Sequence, residues 1–152
     1  MSRLQILPLA AGDRASADAV IALWRACDLT RPWNDPEADL DRAVKGPASA
    51  VVVARDGPGV VGSAMVGHDG HRGAVYYLAV APDRQKHGIG RLLMDAVEAW
   101  LAASGAPKLN LMVRPENHAV AAFYRALGYE VEERIVLAKR LGESPSRADP
   151  NR

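Results

Sequence analysis

Residues 78–91 read Leu78-Ala79-Val80-Ala81-Pro82-Asp83-Arg84-Gln85-Lys86-His87-Gly88-Ile89-Gly90-Arg91, an apolar run that is followed by a turn with two glycines. The apolar run predicts a buried strand, and the spacing of apolar residues after the turn predicts an amphipathic helix. Amides at a helix start point outward, the helix dipole adds positive charge, and glycine lets the main chain approach an anion closely. The junction therefore predicts a phosphate-binding loop, reinforced by Lys86 and Arg91.

Size and composition restrict the class of protein. A chain of 152 residues fits one globular domain, and a formal net charge of +1 provides no general field for nucleic acid or an anionic membrane. Cys27 is the only cysteine, so an intramolecular disulfide is excluded and a reducing compartment is expected. The first 20 residues lack the apolar core of a signal peptide, and no run reaches the ~18 apolar residues of a membrane span. We expect a cytoplasmic protein whose partners are neither nucleic acid nor membrane.

Hydrophobic periodicity predicts the order of elements. Apolar runs predict strands at residues 4–9, 50–55, 60–68, 75–80, 108–113 and 135–140. Apolar residues at helical spacing predict helices with buried faces at residues 19–27, 40–44, 92–101 and 119–127. Gly128 is the expected C-terminal cap of the last helix. Turn residues at 56–59 and 68–73 predict that the second, third and fourth strands form an antiparallel meander.

These elements predict an α/β fold class, more narrowly α+β, in the order β-α-α-β-β-β-α-β-α-β-β. The strand, helix and strand across residues 75–113 predict one right-handed parallel crossover. We therefore expect one domain over residues 1–141, with four helices and a mixed, mostly antiparallel sheet of about six or seven strands. Residues 142–152 are rich in Ser, Pro, Asp and Arg, and this tail is expected to be disordered.

The motifs in this order resemble the GNAT superfamily of N-acetyltransferases across nearly all of residues 1–141. The family's acetyl-CoA signature is Gln or Arg, two residues, Gly, one residue, then Gly or Ala, and it occurs here as Gln85-Lys86-His87-Gly88-Ile89-Gly90. An apolar strand and Pro82 precede it, and Asn117 and residues 123–129 follow one strand later. Together these matches are specific to the GNAT superfamily. Residues 27–36 and 67–73 further resemble the bacterial YpeA type, whose acceptor is not firmly implied.

The resemblance implies acetyl-CoA as cosubstrate and no metal. It places the CoA diphosphate on the amides of the loop and the pantetheine arm along the backbone of the preceding strand. The residues that it assigns to cofactor binding are Leu78, Ala79, Val80, Gln85, Lys86, His87, Gly88, Ile89, Gly90, Arg91 and Asn117. The alternative for the loop is an ordinary strand-to-helix turn, and Asn117 caps the last helix, contacts the cofactor or does both.

Tyr124 matches the family's general acid, which protonates the departing CoA thiolate; the alternative is that this side chain only packs. A general base is harder to assign. In the RimI type of N-terminal acetyltransferase a Glu on the fifth strand is the base, and the aligned residue here is Met112, which cannot accept a proton. A water chain to another group remains open, the candidates being Tyr76, Tyr77, Asp69, Glu116 or a histidine.

The loop at residues 30–36 borders the acceptor site in GNAT proteins, so the resemblance assigns substrate roles to Arg31, Trp33, Asn34 and Asp35. Tyr76, on the fourth predicted strand, is a further candidate for the substrate site. Arg31 would take an acceptor carboxylate and Asp35 an amine. In the alternative, Trp33 fills the core and Asp35 caps the second helix. Trp24 and Trp100 lie on apolar helical faces and are expected in the core.

Two further groups receive no catalytic role. His68 and His71 flank Asp69 in a turn, and two histidines without a third convergent ligand make a poor zinc site, so solvated turn residues are favoured. Cys27 lies on an apolar helix face, which does not support a covalent intermediate.

The predicted function is direct acetyl transfer from acetyl-CoA to a primary amine of a small molecule or peptide in a ternary complex. The alternative is an acetyl-CoA sensor or partner-binding protein with little turnover, and a homodimer remains open.

Overall fold

The computed structural model describes residues 4–142 and alternates strands with helices. The expected disordered tail, apart from Gly142, lies outside the described residues. The elements are β1 (Leu4–Pro8), α1 (Arg14–Ala26), α2 (Pro36–Lys45), β2 (Ser49–Asp56), β3 (Gly59–His68), β4 (Gly73–Val80), a 3₁₀ turn (Pro82–Arg84), α3 (Ile89–Ala103), β5 (Leu109–Asn110) and α4 (His118–Ala126).

The strands form one sheet in the order β1-β2-β3-β4-β5. Neighbours from β1 to β4 pair antiparallel, so the predicted meander is confirmed. β5 pairs parallel to β4, and α3 lies between these two strands in the chain, so the predicted parallel crossover is confirmed as well. This crossover places the start of α3 at the carboxyl end of β4, where α/β sheets commonly bind ligands.

Helices cover both faces of the sheet, and β2 shows why. Val51 and Val53 pack into the apolar cluster beneath α1 and α2, whereas Val52 and Ala54 pack into the cluster beneath α3. Side chains alternate between faces along a strand, so a strand that is apolar at every position is buried on both sides. Each fully buried Val contributes roughly 1.5–3 kcal/mol, and this burial holds the scaffold on which the cleft residues stand.

The helix ends follow the local sequence. Asp35 caps α2 by accepting the Ala38 amide at 3.1 Å. Asn117 caps α4 by accepting the Val120 amide at 3.4 Å. Gly128 follows α4 with a φ of +97°, which confirms the predicted glycine cap.

The prediction of six or seven strands is wrong, because the described chain has five and forms no strand after α4. The expected strand at residues 135–140 is absent, and the strand expected at 108–113 shortens to Leu109–Asn110. Residues 129–142 instead cross the domain surface, where Glu132 pairs with Lys108 at 2.6 Å and Arg140 donates to the Trp33 carbonyl at 3.2 Å. An alternating apolar pattern cannot form a strand unless a neighbouring edge is available for pairing, and β5 has only two paired residues.

Candidate active site

β4 and β5 diverge and open a cleft in the sheet. Their pairing is limited to Gly73 with Leu109 and Ala74 with Asn110. Beyond these pairs the two strands separate around a cleft of about 700 Å³, a volume in the range of small-molecule sites. The backbone of β4 that faces β5 is therefore not engaged in this ladder and is open to an extended ligand.

A bulge in β4 accompanies the divergence. The register between β3 and β4 shifts between Ser63 and Met65, and Tyr77 adopts a φ of +53°. A positive φ is strained for a bulky residue and persists only where the surroundings hold it. Here Trp24 stacks on the Tyr77 ring at 3.9 Å between centroids, and the Trp24 indole donates to the Ser63 hydroxyl at 2.9 Å. Trp24 is fully buried, as expected, while Trp100 is half-buried.

The cleft brings together predicted site residues from four parts of the chain. Those that line it are Arg31, Trp33, Asn34, Tyr76, Leu78, Asn117 and Tyr124. Asp35 is not among the lining residues, because its exposed side chain caps α2. Helix capping was the alternative role that the sequence analysis gave for Asp35. Asn117 both caps α4 and lines the cleft.

Tyr124 is held deep in one wall of the cleft. Its side chain is 7% exposed and packs edge-on against the rings of Phe123 and Tyr129, with centroids 5.1 and 5.6 Å away. Burial raises the pKa of Tyr124 to about 12. The phenol is therefore protonated at neutral pH and is suited to donating a proton into the cleft.

The loop after β4 has the backbone geometry of an anion site. Lys86 and Gly88 both adopt left-handed φ values, +66° and +83°. α3 begins after Gly88 without a side-chain cap, so the amides of its first turn are not satisfied by a capping side chain. Such turns and uncapped helix starts attract phosphate. A Cβ on Gly88 would meet no atom within 4 Å, so the approach to these amides is open.

Two side chains, those of Arg84 and Gln85, hold the loop after β4 against the neighbouring strands. Arg84 pairs with Asp56 at 2.7 Å, which ties the 3₁₀ turn to the β2 strand. Gln85 donates to the Val80 carbonyl at 3.2 Å. Lys86, His87 and Arg91 are exposed, whereas the Ile89 side chain is buried and leaves only its backbone for a ligand. Ala79 is likewise buried in the core.

The second glycine of the signature has a packing reason. A Cβ on Gly90 would lie 3.1 Å from Cζ of Phe123, closer than ordinary contacts allow. Gly90 thus leaves room for the Phe123 ring of α4 against the first turn of α3.

Comparisons with known proteins agree with this geometry. The profile of the acetyltransferase (GNAT) family matches residues 18–129. This chain belongs to the GNAT acetyltransferase family. It is 48% identical over 124 residues to an acetyltransferase of Yersinia enterocolitica, covering 82% of this chain and 88% of that one. It is 49% identical over 127 residues to an acetyltransferase of Sodalis glossinidius, covering 83% and 89%.

Solved structures share the GNAT fold at low identity. Aminoglycoside acetyltransferase AAC(6')-Iy, in complex with a bisubstrate analogue, superposes with a TM-score of 0.79 at 18% identity over 92% of this chain and 99% of that one. The metagenomic aminoglycoside acetyltransferase meta-AAC0020, in complex with sisomicin, gives 0.78 at 21% over 92% and 97%. A ribosomal-protein-alanine N-acetyltransferase from Brucella melitensis gives 0.71 at 18% over 91% and 100%.

The cleft of this GNAT protein is also lined by two residues that the sequence analysis missed. Asp39 and Arg42 line the cleft from α2. The Tyr77 hydroxyl donates to Asp39 at 2.9 Å, and Arg42 pairs with the same carboxylate at 3.3 Å. Burial, and then the hydrogen bond to Asp39, raises the pKa of Tyr77. The available signal was positional, because α2 follows directly after the predicted acceptor loop and its i,i+3 residues share a face.

The position expected for a general base holds no titratable group. Met112 lines the cleft with 60% of its surface exposed. Glu116, Asp69 and the histidines are not among the residues that line the cleft. Tyr76 and Tyr77 do line the cleft, and both are among the groups to which the sequence analysis left a water chain open.

Asp69 and Cys27, two other residues considered in the sequence analysis, make hydrogen bonds within the fold. Asp69 accepts the backbone amides of His71 and Arg72, each at 2.8 Å, and these bonds lower its pKa. Within residues 4–142 no three His, Cys, Asp or Glu side chains converge as a metal site would need. Cys27 donates to the Val80 carbonyl at 3.2 Å, and burial raises the pKa of its thiol.

None of the helices described in residues 4–142 has the length and hydropathy needed to cross a membrane.

Proposed function

We propose that this GNAT protein transfers the acetyl group of acetyl-CoA directly to a primary amine of a small molecule or peptide within a ternary complex. The observation that carries the proposal is the continuity of one cleft, which runs along the diverging edge of β4 and is lined by both Tyr124 and Trp33. A cofactor bound along β4 and an acceptor bound at the α1–α2 loop would therefore meet beside Tyr124.

The residues present fit acetyl-CoA. The amides of residues 86–91 would hold its diphosphate, because this turn has two left-handed residues and an uncapped helix start. The backbone of Leu78 and Val80 would pair with the pantetheine arm as an added strand. Asn117 lines the same cleft as Leu78, and it would contact the same arm.

Acetyl-CoA supplies the acetyl group as a thioester. A backbone N–H near the end of β4 would donate to the thioester oxygen, where negative charge develops during attack. The acceptor nitrogen forms the new bond to the acetyl carbon while the bond from carbon to sulfur breaks. Tyr124 would give its phenolic proton to the departing sulfur. A covalent step on Cys27 is not needed, since its thiol is held protonated against Val80.

The acceptor must lose a proton, and Asp39 is the carboxylate that lines the cleft among the described residues. Each carboxylate oxygen can accept more than one hydrogen bond, so Asp39 can hold an ammonium group while Tyr77 and Arg42 keep their contacts. The proton then passes to water in the cleft, which opens to solvent beside the exposed Met112.

The test combines binding with turnover. Calorimetry should give a 1:1 complex with acetyl-CoA, and thiol release should rise with members of a broad panel of amines and peptides. Activity that falls in Tyr124→Phe while acetyl-CoA affinity is kept supports the proposal. Tight acetyl-CoA binding with no thiol release from any amine contradicts it and favours a sensor.

A further inference from the structure

The acceptor cleft carries more positive than negative charge. Its charged lining residues are Arg31, Arg42, Arg114 and Asp39, and Arg31 and Arg42 alone outnumber the single carboxylate. Partly enclosed walls weaken screening, so such an excess selects among small charged ligands.

The single carboxylate of the lining does not offset this excess. Asp39 pairs with Arg42 at 3.3 Å and accepts the Tyr77 hydroxyl at 2.9 Å. Arg42 and Asp39 therefore compensate each other. The cations outside this pair are Arg31 on the α1–α2 loop and Arg114 beyond β5.

Arg31 is the better defined of these two cations. Its Nη1 donates to the carbonyls of Asp28 and Thr30, both at 2.8 Å, so the guanidinium is oriented by neutral acceptors. The Asp28 carboxylate lies 3.7 Å away with 96% of its side chain exposed, a pair that solvent screens strongly. A guanidinium that is held in place and keeps its charge is suited to bidentate binding of a carboxylate or phosphate.

We propose that the preferred acceptor carries an anionic group, a carboxylate or a phosphate, in addition to its amine, and that Arg31 binds this anionic group. The proposal rests on the proposed amine acetylation and specifies its substrate class. The amine lies toward Asp39 and the anion toward Arg31. A polycation meets the excess charge unfavourably, so aminoglycosides, the ligands named for solved GNAT neighbours, are disfavoured here.

A matched set of primary amines isolates the effect of the second functional group, because in each a two-carbon spacer separates that group from the amine. The probes are β-alanine (carboxylate), O-phosphoethanolamine (phosphate), ethanolamine (neutral) and ethylenediamine (second cation), with sisomicin as the polycation. Thiol release at saturating acetyl-CoA gives kcat/KM for each probe. We expect the better of the two anionic probes to exceed ethanolamine by about 10-fold or more, as a charge-assisted hydrogen bond provides, and ethylenediamine and sisomicin to be poorer still. The ranking of the two anionic probes distinguishes carboxylate from phosphate.

The residue is tested with Arg31→Gln and a matched control, Arg25→Gln. Arg25 lies on the exposed side of α1 and does not line the cleft. Arg31→Gln should reduce kcat/KM for the better anionic probe about 10-fold through KM, leave ethanolamine within about 2-fold, and leave KM for acetyl-CoA unchanged. Arg25→Gln should change none of these.

Three results overturn the inference. The first is equal or better turnover of neutral or polycationic amines by the wild-type protein, which leaves amine acetylation intact. The second is an equal loss for anionic and neutral probes in Arg31→Gln together with a raised KM for acetyl-CoA, which would assign Arg31 to the cofactor. The third is no turnover of any amine, which overturns the proposed function as well.

Discussion

Tyr77 donates its phenolic hydrogen to Asp39 at 2.9 Å, and this contact joins the bulge of β4 to the first turns of α2. Tyr77 occupies a left-handed backbone position with a φ of +53°, which the stacking of Trp24 helps to hold. The same contact orients the carboxylate of Asp39, which lines the cleft. The backbone conformation of β4 at the bulge and the position of this carboxylate are thus coupled through the Tyr77 side chain.

Replacing Tyr77 by Phe should affect both stability and acceptor use. The ring and its stacking on Trp24 remain, while the hydrogen bond to Asp39 is lost. We expect the free energy of unfolding to fall by about 0.5–1.5 kcal/mol and kcat/KM for the amine to fall about 2- to 10-fold. Urea denaturation and steady-state kinetics measure the two effects.

Tyr129→Phe is the matched control. It removes a comparable bond, from the Tyr129 hydroxyl to Glu98 at 2.6 Å, at a residue that does not line the cleft. Stability should fall by no more than in Tyr77→Phe, with KM for the amine unchanged. An equal rise in KM in both variants would show that Tyr77 acts only through general stability.

Tyr124→Phe tests the proton donor. Loss of a general acid costs roughly 10²–10⁴-fold in rate, and we expect the lower end because a thiolate is a good leaving group. The pKa of Tyr124 is about 12, so its proton is lost only as pH rises toward that value. The wild-type rate should therefore rise with deprotonation of the amine and show no decline between pH 6 and about 10.

Two measurements separate this role from packing. Acetyl-CoA affinity and the urea midpoint of Tyr124→Phe should match the wild type within error, because the ring fills the same space. A descending limb below pH 10 that disappears in the variant would show that the phenol titrates in the ordinary range and would contradict the assignment.

Gly88→Ala tests the phosphate loop. Gly88 has a φ of +83°, so a side chain strains the backbone by roughly 1–2 kcal/mol, and its Cβ would project into open space where we place the diphosphate. We expect the dissociation constant for acetyl-CoA, measured by calorimetry, to rise at least about 10-fold, or 1.4 kcal/mol.

Gly57→Ala separates strain from binding. Gly57 has a φ of +60° in the β2–β3 turn, and a Cβ there also meets no atom within 4 Å. The control should lose similar stability and keep its acetyl-CoA affinity. Unchanged affinity in Gly88→Ala would place the coenzyme elsewhere.

Met112→Glu introduces a carboxylate at the position where the RimI type has its base. The side chain is 60% exposed, so the substitution should leave the free energy of unfolding within about 0.5 kcal/mol of the wild type. We expect no gain in acetylation of peptide N-termini, because a base is effective only beside a positioned acceptor. Met112→Gln controls for size, and a large gain specific to Glu would refute this expectation.

The sequence predicted most helices and strands of the protein, because the residue patterns that indicate them are local. Val51, Val52 and Val53 indicate a strand buried on both faces, and β2 packs into both apolar clusters. Asp35 before Pro36 indicates a helix start, and α2 begins there. The loop from Gln85 to Gly90 indicated a helix start, and α3 begins there after Gly88, while phosphate binding by this loop stays a prediction.

The prediction failed where pairing partners matter. Ile135 and Leu137 alternate well enough to suggest a strand, yet their side chains are exposed and residues 129–142 join no sheet. Periodicity reports which face a strand would bury, whereas a ladder also requires a free edge of matching length. β5 offers only Leu109 and Asn110.

Local chemistry along the chain determined the elements, their caps and the conformation of the loop before α3, because each depends on residues within a few positions of one another. The cleft came from contacts between distant segments. Tyr77 meets Asp39 across 38 positions and Arg140 meets Trp33 across 107, and no local pattern encodes such encounters. Packing of α2 against the split sheet brings these groups together, so the charge of the cleft is a property of the folded chain.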